Sequence, residues 1–169
     1  GPAAGQAMYL AYTVPGESGD GPVSRVWWSV TSCLGRLRAP GAPQATDWTQ
    51  EHARWVRRLA HTRQALAHAQ EAARLSNRED VRWFAQSLGV GARFAEAMVD
   101  ALQLRVQDDP AVRAQVLKKL QDLESHIATI SPLEKTDILG GDPGCWLESI
   151  ANLRELGASA KPAEVPPRR

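Results

Sequence analysis

The four histidines are the first side chains to consider for metal or acid–base chemistry. They are His52, His61, His68 and His126. If their segment is helical, His61 and His68 share a face, but seven residues separate them, which is about 10 Å along the axis and too far for joint metal binding. Because no His-x-x-x-His pair occurs either, we expect solvated or partly packed imidazoles and no metal site.

Paired carboxylates of the kind used by glycosidases or di-iron centres are the next candidates for catalysis. A di-iron bundle needs Glu-x-x-His on facing helices, and Glu124 misses that spacing to His126 by one residue. Glu96 and Asp100 share a helix face, but such a pair is typical of a solvated surface. The Gly-Gly-Asp-Pro-Gly run at 140–144 favours a tight connection over an anion site. The sequence therefore predicts no catalytic residue and no cofactor.

A run of arginines makes one side of the first predicted long helix basic. They are Arg54, Arg57, Arg58 and Arg63. A charge run on a helix is usually a solvated face, but several arginines in a row can also dock on an acidic partner. We therefore take Arg54, Arg57 and Arg58 as candidate contacts for a partner.

Tryptophan is unusually frequent, with six residues against only two Phe and two Tyr. Four fall on or near the apolar stripes of predicted helices: Trp48, Trp55, Trp83 and Trp146. These are expected in the core, where each indole N–H needs an acceptor. Trp27 and Trp28 are adjacent, so in a strand they point to opposite faces. One ring is then either a stacking platform for a sugar, an anchor for a protein, or a ring lying flat on a loop.

The overall composition is that of an ordinary globular protein. Of 169 residues, 43% are apolar and 23% are charged, and 20 basic residues stand against 19 acidic ones. A formal net charge of +1 gives no broad positive field, so nucleic acid is not an expected partner. Since no run of about 18 apolar residues occurs, we expect no membrane span.

The cysteines and the first residues add little about compartment. Cys33 and Cys145 are far apart and outside any Cys-x-x-Cys spacing, which leaves one bridge open and disfavours a zinc ribbon. Gly1-Pro2 resembles the scar of a removed purification tag, and we treat residues 1–7 as a flexible start. No signal-peptide pattern follows, but this says little about location when the natural start is not given, so the compartment is left open with the cytoplasm favoured.

The segment before residue 47 predicts a β-hairpin. Residues 8–14 and 23–31 are rich in β-branched and aromatic side chains, and residues 15–22 between them are turn-forming. A lone hairpin is marginal in water, so its apolar face should lie on the helices. Residues 32–46 contain several Gly and Pro and are interpreted as a linker.

Capping residues and apolar periodicity predict four helices after the linker. Their starts are indicated by Asp47, Asn77, Asp109 and Asp142, the last two followed by proline. The first helix is predicted from Trp48 to Leu75, and the third should stop at Ser131, before a proline. The last carries Trp146, Ile150 and Leu153 and ends before Gly157.

The second and third helices carry the clearest apolar stripes. The stripe of the second is Val81, Phe84, Leu88, Ala95, Met98 and Leu102, and that of the third is Val112, Val116, Leu120, Leu123, Ile127 and Ile130. Gly89 and Gly91 weaken the second helix, which we explain by close helix contact or a kink.

Short connections between long helices predict antiparallel neighbours. We therefore expect a mainly α protein, a four-helix up-and-down bundle over residues 47–157 with the hairpin of residues 8–31 against one side. Residues 8–160 form a single domain in this interpretation, and residues 161–169 form a disordered tail.

Three functions remain open from the sequence. The first is a non-catalytic interaction module whose partner is another protein or another domain of the same polypeptide, contacted by Trp27, Trp28 and the three selected arginines. The second is a helical ligand-binding or carbohydrate-associated accessory domain in which an exposed tryptophan stacks on the ligand. An enzyme is the third and least supported. The ligand, the oligomeric state and the native length are not determined by these patterns.

Overall fold

The structure is a computed structural model that describes residues 1–13, 47–107, 109–129, 150–151 and 153–155. In these ranges the chain is almost wholly helical. Its four long helices are α1 (Pro2–Thr13), α2 (Trp48–Leu75), α3 (Glu79–Val106) and α4 (Pro110–Thr129). A further helical piece contains Ile150 and Leu153. None of the helices described is long and apolar enough to cross a membrane.

Helix α1 corrects the prediction of a strand over residues 8–14. The chain from Pro2 to Thr13 is helical, which also includes the residues interpreted as a flexible start. Three alanines at helical spacing, Ala4, Ala7 and Ala11, are buried. The aromatic residues that suggested a strand, Tyr9 and Tyr12, are exposed on the outside of this helix. The second strand (23–31), with Trp27 and Trp28, and the linker lie outside the described residues.

Helix α1 packs on the second half of α2 through alanines. The buried positions of that half, Ala65, Ala69 and Ala72, repeat at the same intervals of three and four as those of α1. Contacts between α1 and α2 follow from these two matching stripes. Alanine is the best helix former and permits a close approach of two helices, so a packed helix stands where the first strand was predicted.

The predicted bounds of α2 are confirmed, and its start has the expected chemistry. Asp47 is extended, and its Oδ1 accepts a hydrogen bond from the backbone N of Gln50 at 3.1 Å. This bond satisfies one of the amides that a helix leaves unpaired in its first turn. The helix ends at Leu75, after which Ser76 is extended.

The start of α3 differs from the prediction by one residue. Its N-cap is Arg78, whose side chain makes no capping bond, rather than Asn77. Asp80 Oδ1 instead accepts from the backbone N of Val81 at 3.0 Å, and the Asp80 carboxylate also pairs with the Arg78 guanidinium at 2.6 Å. The Asp80 carboxylate, inside the first turn, thus accepts a hydrogen bond from a backbone amide, the role that was predicted for the side chain of Asn77.

Helix α3 lies between α2 and α4 and supplies most of the core. Its prediction as an apolar helix is confirmed, as is the start of α4, where Asp109 Oδ1 accepts from the backbone N of Ala111 at 2.8 Å. The largest enclosed side chains of the shared core are Trp55, Phe94, Met98, Leu102, Leu104, Leu120, Leu123, Ile127, Ile150 and Leu153. Phe84 is only half-buried and stacks on Tyr12 of α1, with ring centroids 4.5 Å apart. These contacts make α3 the central helix of the described structure.

Of the two explanations offered for Gly89, close helix contact does not apply, and a kink stays a prediction. A Cβ built there would meet its nearest neighbour, Leu66 Cδ1, at 4.0 Å, which is ordinary van der Waals contact. Gly89→Ala should therefore raise the free energy of unfolding by about 0.5–1 kcal/mol, because alanine removes backbone entropy from the unfolded chain without a clash. Urea denaturation followed by circular dichroism measures this gain, and a loss of stability would show that the position needs glycine.

Candidate functional site

A solvent-open groove between α2, α3 and α4 is the candidate site, with a volume of roughly 730 Å³. We call it the charged groove. Its floor is made of small and apolar side chains, chiefly Leu66 of α2, Ala85, Gly89 and Ala92 of α3, and Leu123 of α4. Because the α3 residues are small, the groove between α2 and α4 is deep. An apolar floor of this kind favours a ligand that carries an apolar face.

The three helices present their groove residues at regular helical intervals. On α3 these include Arg82, Gln86, Gly89, Arg93 and Glu96, which follow one another at steps of three and four. The first and last lining residues of α3, Arg82 and Glu96, are 14 residues apart, which corresponds to about 21 Å along the helix axis. The groove is therefore long compared with a compact ligand.

Two ion pairs cross from α3 to its neighbours beside the groove. Glu96 Oε1 accepts from Arg63 Nη2 of α2 at 2.6 Å, and Asp100 Oδ2 accepts from Lys119 Nζ of α4 at 2.5 Å. Glu96 and Asp100, which the sequence indicated as a solvated pair, thus each bind a cation on a different helix. Arg63 and Lys119 are neutralised locally, so their charges contribute little to the recognition of an external anion.

Arg82 and Arg93 differ from the other basic residues of the groove. Both are exposed and line it, and neither forms an ion pair with any carboxylate in the part of the chain that the structure describes. They are 11 residues apart on one face of α3, or about 16 Å along the axis. Two unneutralised guanidinium groups at the ends of an apolar floor give the groove a defined electrostatic pattern.

His126 of α4 lies in the same groove and adds no positive charge at neutral pH. Its partial burial lowers the pKa of the imidazole, and the positive charge of Arg93 lowers it further. The imidazole is therefore neutral at pH 7, since both effects disfavour the protonated form. Asp122, one turn earlier on α4, is the acidic residue of the lining that has no ion-pair partner among the described residues.

The arginines selected from the sequence lie on α2 outside the charged groove. Arg54 Nη1 donates to Glu51 Oε2 at 3.4 Å, and the Arg58 guanidinium lies 5.1 Å from the centroid of the Trp55 ring. Arg54 and Arg58 therefore each have a contact within their own helix. Arg57 is exposed on the same helix and also has a partner. A partner-binding role for this set remains a prediction, as does the role of Trp27 and Trp28, which lie outside the described residues.

Trp55 is buried as expected and Trp83 is half-buried, and neither indole has the expected acceptor among the described residues. The Nε1 atoms of Trp55 and Trp83 are enclosed and have no hydrogen-bond acceptor among the described residues. Trp55 is fully buried in the core shared by α2 and α3. Its ring therefore acts through packing and through the contact with Arg58.

Three groove residues of α3, Arg82, Gln86 and Arg93, were not predicted from the sequence, because they lie away from the apolar stripe of that helix. Arg82, Gln86 and Arg93 recur at steps of four and seven, and this spacing on the opposite face of α3 was the available signal. Within the residues that the structure covers, no group of three or more His, Cys, Asp or Glu side chains is placed to hold a metal ion.

Comparison with protein-family models, curated proteins and solved structures finds no significant match to this chain. The chemistry of its own residues must therefore carry the functional argument. The charged groove offers an apolar floor, exposed sides of three helices and two guanidinium groups that have no carboxylate partner among the residues the structure describes. This arrangement suits non-covalent recognition of an elongated, amphipathic segment.

Proposed function

We propose that this chain is a non-catalytic interaction module that binds a helical segment of another protein, or of another domain of the same polypeptide, in the charged groove. The observation that carries the proposal is the long apolar floor open to solvent between α2, α3 and α4. A helix laid into such a floor would bury its apolar face, as in other helix-in-groove complexes.

The arrangement of the helices supports this proposal. The connection between α2 and α3 is only three residues, 76–78, and the two helices pack along each other, which is compatible with antiparallel neighbours. We infer an up-and-down bundle in which α3 is flanked on both sides. A groove between three helices of a bundle has the shape that one further helix fills.

The chemistry of the lining favours binding over catalysis. The described lining residues are aliphatic, amide, basic, acidic and imidazole side chains, with no hydroxyl or thiol nucleophile among them. A carbohydrate-associated function depends on Trp27 or Trp28, which are outside the described residues, so no structural observation favours it over the groove.

A peptide library tests the proposal on the full chain. We expect amphipathic peptides of about sixteen residues, covering all charge patterns, to yield binders that perturb the backbone amide signals of Leu66, Gly89 and Leu123 in NMR spectra. Sixteen residues of helix are about 24 Å long, enough to cover the groove. A library that yields no binder, or binders that perturb only other surfaces, would contradict the proposal.

A groove-filling variant and a matched control make the test specific. Gln86 lines the groove and is exposed, whereas Gln121 of α4 is exposed and outside the lining. Gln86→Trp should weaken the selected peptides at least about tenfold by filling the groove, and Gln121→Trp should leave their affinity unchanged. Equal effects of both substitutions would show that the peptides bind elsewhere.

A further inference from the structure

We infer that the partner segment is an acidic amphipathic helix that carries two carboxylates 11 residues apart, one for Arg82 and one for Arg93. This inference rests on the proposed function and specifies the partner of the same groove. Its basis is the position of these two guanidinium groups toward the two ends of the groove-lining part of α3.

The charged residues of the groove indicate that the partner segment is negatively charged. Arg63 is held by Glu96, and Lys119 is held by Asp100, so neither cation needs an external anion. Arg82 and Arg93 have no carboxylate partner among the described residues. A docked helix would partly desolvate both groups. A carboxylate on that helix compensates for the lost water through a charge-assisted hydrogen bond, whereas an unpaired guanidinium is costly to bury.

The spacing on α3 decides the spacing on the partner. A helix that lies along α3 rises by the same distance per residue, whichever way its chain runs. Residues 11 apart therefore reach about 16 Å along either helix, and after three turns they return to nearly the same face. A partner helix with one carboxylate near each end of its apolar stripe can therefore place one of them against Arg82 and the other against Arg93.

The small residues of α3 between Arg82 and Arg93 indicate which side chains the partner carries between its two carboxylates. Ala85, Gly89 and Ala92 present little side-chain volume to the groove. Larger aliphatic residues on the partner, at positions between its two acids, can fill this space and contact Leu66 and Leu123. Asp122 on the α4 wall has no ion-pair partner among the described residues and favours a basic residue at the edge of the docked helix.

The test compares four peptides of about sixteen residues on the full chain. The first carries two Glu 11 residues apart around leucines at helical spacing. The second carries Lys at the same two positions, the third has the two Glu moved to the opposite helix face, and the fourth is a scrambled sequence of identical composition. We expect the first to bind about tenfold or more tightly than each of the others, with weaker binding at high salt.

Charge reversal in the protein provides the reciprocal test. The double variant Arg82→Glu/Arg93→Glu should lose about a hundredfold in affinity for the acidic peptide and should now prefer the Lys peptide. The matched control, Arg105→Glu/Lys118→Glu, makes the same change in net charge outside the groove lining and should keep the wild-type preference. Rescue by the Lys peptide excludes misfolding of the double variant as the reason for its loss.

The outcomes separate this inference from the proposed function. If the Glu peptide and the Lys peptide bind in the charged groove with equal affinity, the proposed function holds, but the inference that the partner is acidic is wrong. If the scrambled peptide binds as well as the first, simple charge attraction explains binding and the inference is overturned. If the amides of the groove are already protected from exchange in the full chain and no peptide binds there, the chain itself covers the groove and both statements fail.

Discussion

Replacing Phe94 with alanine should lower the free energy of unfolding by about 3–5 kcal/mol, a loss typical of a large aromatic side chain removed from a packed core. Phe94 has 0% of its surface exposed and lies on the central helix, in the core shared with α2, α4 and the helical piece around Ile150. Truncation removes the buried ring and leaves a cavity that the surrounding helices can fill only in part.

Chemical denaturation of the variant measures this loss, and Val106→Ala is the matched control. Val106 lies at the end of the same helix with 44% of its surface exposed, so its truncation should change the free energy of unfolding by no more than about 0.5 kcal/mol. Both variants should unfold with similar denaturant slopes. Comparable small losses for both would show that Phe94 is not enclosed as the structure has it.

Replacing Ala11 with glutamate should detach α1 from α2, the second large effect that we expect. Ala11 is completely enclosed and packs in one cluster with Ala65, Ala69 and Leu88. A carboxylate has no room and no basic partner within that cluster, and an unpaired buried charge costs about 3–5 kcal/mol. The helix can avoid this cost by leaving its site, because α1 does not contribute to the cluster that joins α2, α3 and α4.

Hydrogen exchange followed by mass spectrometry resolves this effect along the chain. The amides of α1 should lose their protection in Ala11→Glu, while those around Phe94 on α3 should keep theirs. Ala3→Glu is the control, because Ala3 is exposed in the first turn of the same helix, where a negative charge is favourable. Unchanged protection of α1 in Ala11→Glu would contradict its docking on α2 through the alanines.

The helices with local start signals were predictable from the sequence. Asp47 and Asp109 each bind a backbone amide of the following turn, and this bond depends only on residues within three positions. The apolar repeat of α4 likewise gives its buried positions, from Val116 to Ile127, without knowledge of what they pack against. Such features are properties of single segments.

Helix α1 was not predictable in the same way. Its buried stripe consists of Ala4, Ala7 and Ala11, which differ little in hydrophobicity from the residues around them. The aromatic residues Tyr9 and Tyr12 gave a stronger local signal, typical of a strand, although both are largely exposed in the structure. The helix depends on a matching alanine stripe of α2 more than fifty residues away in sequence, which local propensity does not indicate.

The charged groove required knowledge of which helices are neighbours. That Arg63 meets Glu96, 33 residues later, follows only from the packing of α2 on α3. Without such pairings, Arg82 and Arg93, which have no carboxylate partner among the described residues, cannot be distinguished from other surface cations. In contrast, the contacts of Arg54 with Glu51 and of Arg58 with Trp55 each span three positions of one helix, a spacing that is visible in the sequence but was not used to assign these arginines local partners.

The position of Glu96 and Asp100 on successive turns of α3 also limits where residues can be inserted or deleted in this protein. One inserted or deleted residue between Phe94 and Asp100 would rotate the rest of α3 by about 100° relative to its beginning. Core side chains and interhelical carboxylates downstream of that point would then all face the wrong neighbours together. The short connection at 76–78 carries no such constraint. Related chains should therefore tolerate insertions in their connections and keep the residue count of the central helix fixed.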